Sequence, residues 1–556
     1  MESGQIRQAQ TEAERPARRC PDMPWAGWDV PVALPGQVRT LLAEFLGTDL
    51  RPSPSVPEGD VVLAPSRLSA DAVAAFTEAA GSGQVHTGRT ARLRRAGGKS
   101  TTDLLRRRAG DAAEAPDAVI TPGTHDEVVA VLAAASRHQV AVIPFGGGTS
   151  VTGGVEPLRD GFAAAVALDL RRLDRLTGLD PESLTATLQA GLRGPEAEEL
   201  LGRHGLTLGH LPQSFEHATI GGFAATRSAG QASTGYGGIE KMVLGLRLAA
   251  PAGEIELPPL PASAAGPGLR QLLVGSEGTL GVITELSLRV RRAPQARAYE
   301  GVFFESFDQG REAFRALAAE HALPDVARLS DEAETRMSLA LAGSGGAKGA
   351  LGRRYLALRG YAGGCLAIVG FEGGEWEVST RRRRALHLLR RAGGLVVGSS
   401  PGRAWREGRF AAPYLRDELL GLGVMAETLE TATQWSNVGR LHEAVSGAIE
   451  RELSSQGTPG LVMCHVSHVY ESGASLYFTF LARQKEGAEI EQWRAVKSAA
   501  SEAIVAGGGT ITHHHAVGRD HAPWMEREIG AEGLAALRAV KAELDPAGVM
   551  NPGKLL

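Results

Sequence analysis

Cysteine is almost missing from this chain. Cys20, Cys365 and Cys464 are its three thiols, far apart and odd in number. No disulfide framework and no CxxC metal pair can be read from them, and a reducing compartment is the default. Long apolar runs are missing too. The longest, such as VVAVLAAA at 128–135, are too short to span a bilayer. The N-terminal MESGQIRQAQTEAERPARRC lacks the apolar centre of a signal peptide. The expectation is a cytoplasmic protein, with peripheral membrane contact left open. A strong charge of one sign is absent as well. The net charge is −4, and no domain-wide basic excess points to nucleic acid. No repeat of fixed period is visible.

Glycine is abundant, with 71 residues among 556. That length exceeds one ordinary core and suggests two or three domains. Residues 1–85 read as an N-terminal extension, polar and disordered to about residue 20 and then Pro-rich. From residue 116 the pattern sharpens. AVIT is a short strand, Thr124 and Glu127 form a capping box, and Val128, Val131, Leu132 and Ala135 recur at helical spacing. VAVIPF at 140–145 is a β-branched strand that runs into a glycine run. Beyond RRAPQA the texture changes to strands alternating with amphipathic helices, as in LHEAVSGAIERELSSQG at 441–457. LALAGSGGAKGALGRR at 339–354 reads as a mobile loop.

The run PFGGGTSVTGG offers consecutive backbone N–H groups with no side chains in the way, a nest suited to phosphate oxygens. A tight turn between strands is the alternative. The run is no Rossmann fingerprint, because Val151 stands where GxGxxG needs its third glycine. LRRAGGKST fails as a P-loop, with Leu93 in place of the first glycine, so Lys99 is assigned a structural or solvent role.

Taken in order, PFGGGTS, IGGFAATRSAG, VGSEGTLGVIT and the closing DPAGVMNPGK resemble the vanillyl-alcohol oxidase type of FAD-binding domain. The resemblance implies an α+β fold. A two-part FAD-binding domain of that type carries an inserted α+β substrate (cap) domain. The expected boundaries are 86–297 for the flavin domain, 298–510 for the cap, and 511–556 for a segment returning to the flavin domain. It implies FAD contacts at Pro144, Phe145, Gly146, Gly147, Gly148, Thr149 and Ser150. Further contacts fall at Gln213, Ser214, Phe215, Glu216, His217, Ala218 and Thr219, and at Thr226, Arg227, Ser228 and Ala229. The last set is Glu277, Gly278, Thr279, Leu280, Gly281, Val282 and Ile283. No histidine or cysteine sits in or beside FGGGTSVTGG, so non-covalent FAD is expected.

ITHHHAVG at 511–518 is the other unusual stretch. Hydroxy-acid dehydrogenases of the superfamily carry a GEHGIG-like segment there, and His514 takes the place of its carboxylate. This departure resembles the alkylglycerone-phosphate (alkyldihydroxyacetonephosphate) synthase family. PYLRDELL, ETATQW, VYESGASLYFTF and WAGWD match the same family, whereas His465 stands where arginine is expected. The implied activity is a transferase reaction without net redox change. It replaces the acyl group of acyl-dihydroxyacetone phosphate with a fatty alcohol, giving an ether-lipid precursor. The alternative is an FAD-dependent dehydrogenase or oxidase of a 2-hydroxy acid or related alcohol. Lipid substrates are implied as partners, and a homodimer is left open.

The implied catalytic residues are Tyr477, His513, His514, His515 and Arg416. Arg416 and Arg328 are the candidate substrate-binding groups, Arg328 alternatively holding the two domains together. In LYFTF, Tyr477 and Thr479 share one strand face, and Phe478 and Phe480 the other. A free tyrosine near pKa 10 is a poor base, so Tyr477 needs positive charge or a histidine relay. On an extended segment His513 and His515 would point one way and His514 the other. Such an HxH pair is a metal clamp in some proteins. No third ligand of obvious spacing follows, and no metal is expected.

Overall fold

The computed structural model describes residues 13–17, 19–28, 34–47, 50–341 and 347–556. Three larger sheets organise it, beside a two-stranded ribbon of Leu206–Thr207 and Arg291–Arg292. The first has four strands and contains the strand–helix–strand unit expected from sequence. Ala118–Ile120 and Val140–Phe145 both run parallel to Ala164–Asp169, and Val85–His86 adds an antiparallel edge. The helix His125–His138 buries Val128, Val131, Leu132 and Ala135 against it. Thr124 accepts from the Glu127 N–H as a capping residue should, but the Glu127 carboxylate bonds Gly123 N–H instead of closing the box.

The second sheet has five antiparallel strands, ordered Leu176–Asp180, Thr185–Gln189, Val282–Arg289, Val243–Ala250 and Gly253–Leu257. The chain end returns to this half. Val142 N–H bonds Val549 O, and Asn551 N–H bonds Val142 O. The Asn551 amide donates to Gly154 O and Glu277 O, at 3.0 and 2.7 Å.

The third sheet has seven antiparallel strands. Their order is Leu395–Gly398, Ala296–Phe304, Cys365–Gly373, Val326–Ser330, Gly460–Val469, Gly473–Arg483 and Val424–Gln434. One face is packed with the helices Phe307–Ala319, Glu375–Arg391, Val438–Ser455 and Glu489–Ala506. Period-2 alternation sends Phe478 and Phe480 into that core and leaves Tyr477 and Thr479 on the opposite face, toward the first two sheets.

Two segments differ from their reading. Most of 339–354 is helical: Glu332–Leu341 precedes and Ala347–Leu358 follows, and 342–346 lie outside the described residues. Buried Met337 anchors the first helix against Val38, Leu42 and Met463, which outweighs the glycine content nearby. The N-terminal segment is tied down from residue 14. Glu14 pairs with Leu176, Asp22 meets Arg95 and Arg171, and Trp28 N–H donates to Asp417 on the helix Ala412–Gly421. Residues 1–12 lie outside the described residues. Among the described residues no helix is long and apolar enough to cross a membrane.

Candidate functional site

The strand Val140–Phe145 ends at Gly146, Gly147 and Gly148, and the loop that follows passes tightly under the 213–219 stretch. A Cβ on Gly146 would strike the Thr219 hydroxyl. One on Gly147 would overlap the His217 carbonyl and lie 2.7 Å from its carbon. Glycine is needed here for close backbone approach. Pro144 through Ser150 line one wall of a cavity of about 500 Å³. Gln213, Ser214, Ala218, Thr219, Thr226, Ser228, Ala229, Glu277, Gly278, Gly281, Val282 and Ile283 line it too. The Gln213 Oε1 is buried there without a partner, and a buried polar atom of this kind asks for a ligand. Bare amides and this orphan acceptor fit a dinucleotide's pyrophosphate and polar edges.

Six residues expected to touch the cofactor do not line the cavity. Phe215 stacks on Phe410 with ring centres 5.4 Å apart. Glu216 accepts from the Tyr414 hydroxyl, and His217 packs against Trp28 and Tyr414. Arg227 turns to the carbonyls of Val274 and Gln271. The Thr279 hydroxyl is spent on Ser276 O, and Leu280 joins the core of the second sheet. Glu277 does reach the cavity, but its carboxylate accepts the N–H groups of Val517 and Gly518, at 2.8 and 2.7 Å. Its first task is holding the C-terminal bend.

Tyr477 occupies the reactive end. Its register partners are Glu430 on one neighbouring strand and His465 on the other, so three adjacent strands set these side chains in a row. The His465 ring stacks on Tyr477 at 4.8 Å, and the rings of His514 and His515 lie 5.9 and 5.4 Å away. His514 and His515 both face the cavity, whereas His513 does not. The expected alternation fails because 513–515 form a bend rather than a strand. Its shape is set by Glu430, whose carboxylate accepts the N–H groups of His513, His514 and His515 and the hydroxyl of Thr512. Ala516 follows with φ +73°, a left-handed conformation that is costly for a residue with a Cβ. His513 and His515 therefore do not share the cavity face. His513 instead lies with His468 and His514, one nitrogen of each within 4.8 Å of the others. A 2.8 Å hydrogen bond joins His513 Nδ1 to His514 Nδ1, and the Tyr470 hydroxyl meets His513 Nε2.

Burial pushes the Tyr477 phenol up to about 12, with a bond to Thr428 working the other way. It is protonated at neutral pH. Burial lowers His514 strongly and lowers His513 and His515, against the pull of Glu430. These imidazoles are neutral, and each then has one ring nitrogen with a lone pair able to accept. Burial alone would raise Glu430, but the Thr512 hydroxyl and the three backbone N–H groups that donate to it favour its charged form, and it lies well below the usual carboxylate value. The proton acceptors at this end are thus the histidines, with Tyr477 as a neutral donor beside them.

Arg416 lines the cavity from the helix Ala412–Gly421. It donates to Lys99 O and Thr101 Oγ1, at 3.0 and 2.5 Å, and its Nε is buried without a partner. Arg328 lines the cavity and bonds His465 and Glu334. Both of those residues belong to the half built on the seven-stranded sheet. The Arg328 guanidinium sits beside His465, where arginine was expected, and is paired with Glu334. Beyond Tyr477 the cavity becomes apolar, lined by Leu34, Val38, Leu42, Met337, Leu419 and Met463.

Two contributors were not singled out from the sequence. Glu430 was visible only as the first letter of ETATQW. His468 lies on a strand remote in sequence from the histidines it touches. Lys99 is buried, so the solvent role is excluded; it donates to Gly27 O and packs against Trp28.

Comparison with known proteins agrees with this architecture. Residues 116–257 match the family model for an FAD binding domain, and 293–555 match the C-terminal domain of FAD linked oxidases. An alkyldihydroxyacetonephosphate synthase of Trypanosoma brucei brucei is 33% identical, covering 96% of this chain and 92% of that protein. A solved alkyldihydroxyacetonephosphate synthase structure superposes with a TM-score of 0.82 at 29% identity, covering 96% and 98% of the two chains. p-Cresol methylhydroxylase shares the fold at a TM-score of 0.63 and 15% identity, covering 87% and 96%. The fold is thus of the vanillyl-alcohol oxidase type with an FAD-binding domain, and the chain belongs to the alkyldihydroxyacetonephosphate synthase family.

Proposed function

We propose that this protein is an FAD-dependent alkyldihydroxyacetonephosphate synthase, which exchanges the acyl group of acyl-dihydroxyacetone phosphate for a fatty alcohol. The observation that carries this reading is the continuity of one cavity. It joins the glycine cradle, the Tyr477–His514–His515 cluster and an apolar arm. A hydroxy-acid dehydrogenase has no use for such an arm, whereas an alkyl chain needs one.

Gly146 to Ser150, Gln213 and Thr219 would hold the FAD, non-covalently. No cysteine lines the cavity, and the histidines that do stand at the Tyr477 end. When bound, FAD supplies an electrophilic ring system. The protein's residues do the rest. The carbon beside the substrate carbonyl must lose a proton, and neutral His514 or His515 can accept it. Tyr477 donates to the developing oxygen charge or relays the proton. Arg416 and Arg328 neutralise the phosphate and the departing carboxylate. The apolar arm takes the chain of the entering alcohol.

Acyl-dihydroxyacetone phosphate plus radiolabelled hexadecanol should give labelled ether lipid anaerobically, with no electron acceptor added. Lasting flavin bleaching by a 2-hydroxy acid, with no ether formed, would sink this reading. Acid precipitation of the same preparation should leave the yellow cofactor in the supernatant. A yellow pellet would mean a covalent link.

The arm also makes chain length testable. Met463→Trp fills it, and kcat/KM for hexadecanol should fall about tenfold while that for decanol is kept. An unchanged ratio would show that the chain lies elsewhere.

A further inference from the structure

We infer that Glu430 is the positioning residue of the reaction and fixes the tautomer of the two cavity-facing histidines. This inference rests on reading the cavity as the synthase site. Glu430 is fully enclosed and faces no solvent. One carboxylate oxygen accepts from His514 N–H, His515 N–H and Thr512 Oγ1, at 3.0, 2.8 and 2.6 Å, and the other accepts from His513 N–H. A carboxylate is the one side chain able to take four donors at once. The bend it holds contains the left-handed Ala516, which would not persist without such a frame.

The carboxylate also faces both rings. His514 Nδ1 and His515 Nδ1 lie 3.6 and 3.8 Å from its oxygens. These distances are too long for hydrogen bonds. A buried negative charge at this range still favours a proton on the nearer nitrogen. His514 Nδ1–H then donates to His513 Nδ1 across their 2.8 Å contact. That leaves His513 with its proton on Nε2, directed to the Tyr470 oxygen. In this pattern the Nε2 of His514 and His515 keeps the lone pair. Glu430 does not line the cavity; it acts by deciding which imidazole nitrogen can accept the proton.

The experiment uses FAD-loaded protein with ring-15N-labelled histidine, in which tautomers have separate nitrogen shifts. His514→Gln and His515→Gln assign the signals. Wild type should show Nδ1–H on both residues. In Glu430→Gln they should revert toward the Nε2–H form that exposed imidazole prefers. Ether-forming kcat should fall about 10–100-fold, with KM for both substrates within about threefold and FAD retained. Glu430→Asp keeps the charge and should keep the tautomers. Nε2–H on both rings in wild type overturns the proposal, and so does a Gln variant with unchanged tautomers and kcat. If Glu430→Gln does not fold, the wild-type spectrum still decides. If wild type forms no ether, the proposed activity fails while the tautomer measurement stands on its own.

Discussion

Tyr477→Phe should reduce ether formation by about 10²–10⁴-fold, the range associated with a single proton-transferring group. That corresponds to roughly 3–5 kcal/mol of transition-state stabilisation. The change removes one hydroxyl from a side chain whose ring is sandwiched among His465, His514 and His515. The ring packing stays, so thermal stability and FAD content should stay close to wild type. The pH dependence separates roles. With the phenol raised to about 12, Tyr477 is protonated throughout the neutral range and cannot produce a limb there. Any acid limb belongs to the imidazoles, which burial lowers below the ordinary histidine value and so keeps unprotonated at neutral pH. Activity should therefore be lost as the pH falls through those values and be flat above them. Wild-type turnover in Tyr477→Phe, with flavin bound, would remove this residue from the mechanism.

Gly147→Ala should weaken FAD binding by about 10–100-fold, the consequence of one methyl forced into filled space. The added Cβ meets backbone, the His217 carbonyl and the Ala218 Cα at 2.9 Å, rather than a side chain that could rotate away. The glycine loop and the 213–219 stretch would have to separate, and both line the cavity. Fluorescence titration of the apoprotein measures the effect directly. A yellow variant with unaltered affinity would place the cofactor against some other surface. The two substitutions test opposite ends of one cavity: Tyr477→Phe should stay yellow and inactive, and Gly147→Ala should be pale as purified.

Local order explains what could be read in advance. VAVIPF and the helix after Thr124 fold by their own periodicity, and the alternation in LYFTF placed Tyr477 and Thr479 on the cavity face. The bend at 513–515 could not be read in this way. Its direction is imposed by Glu430, 83 residues before His513, and by Glu277, 240 residues before Val517. Taken as an extended strand, the three histidines alternate; folded onto two carboxylates, they do not. Arg227 and Glu216 show the same limit. They sit in stretches expected to bind the cofactor, but long polar side chains can swing to partners that the local pattern does not reveal. The N-terminal segment looked like a solvated tail because its partners, Asp174, Arg171 and Asp417, are distant along the chain.

Asn551 donates to Gly154, 397 residues earlier, while Val142 is bracketed by Val549 and Asn551. Contacts of such separation form late. During synthesis the glycine cradle therefore waits on the ribosome for a wedge not yet translated. A nascent polypeptide carrying only the flavin half would leave the backbone of Val142 unpaired on that side. Cofactor capture then belongs after the 549–551 segment has docked, and a substitution that disturbs this segment should compromise maturation before it touches catalysis.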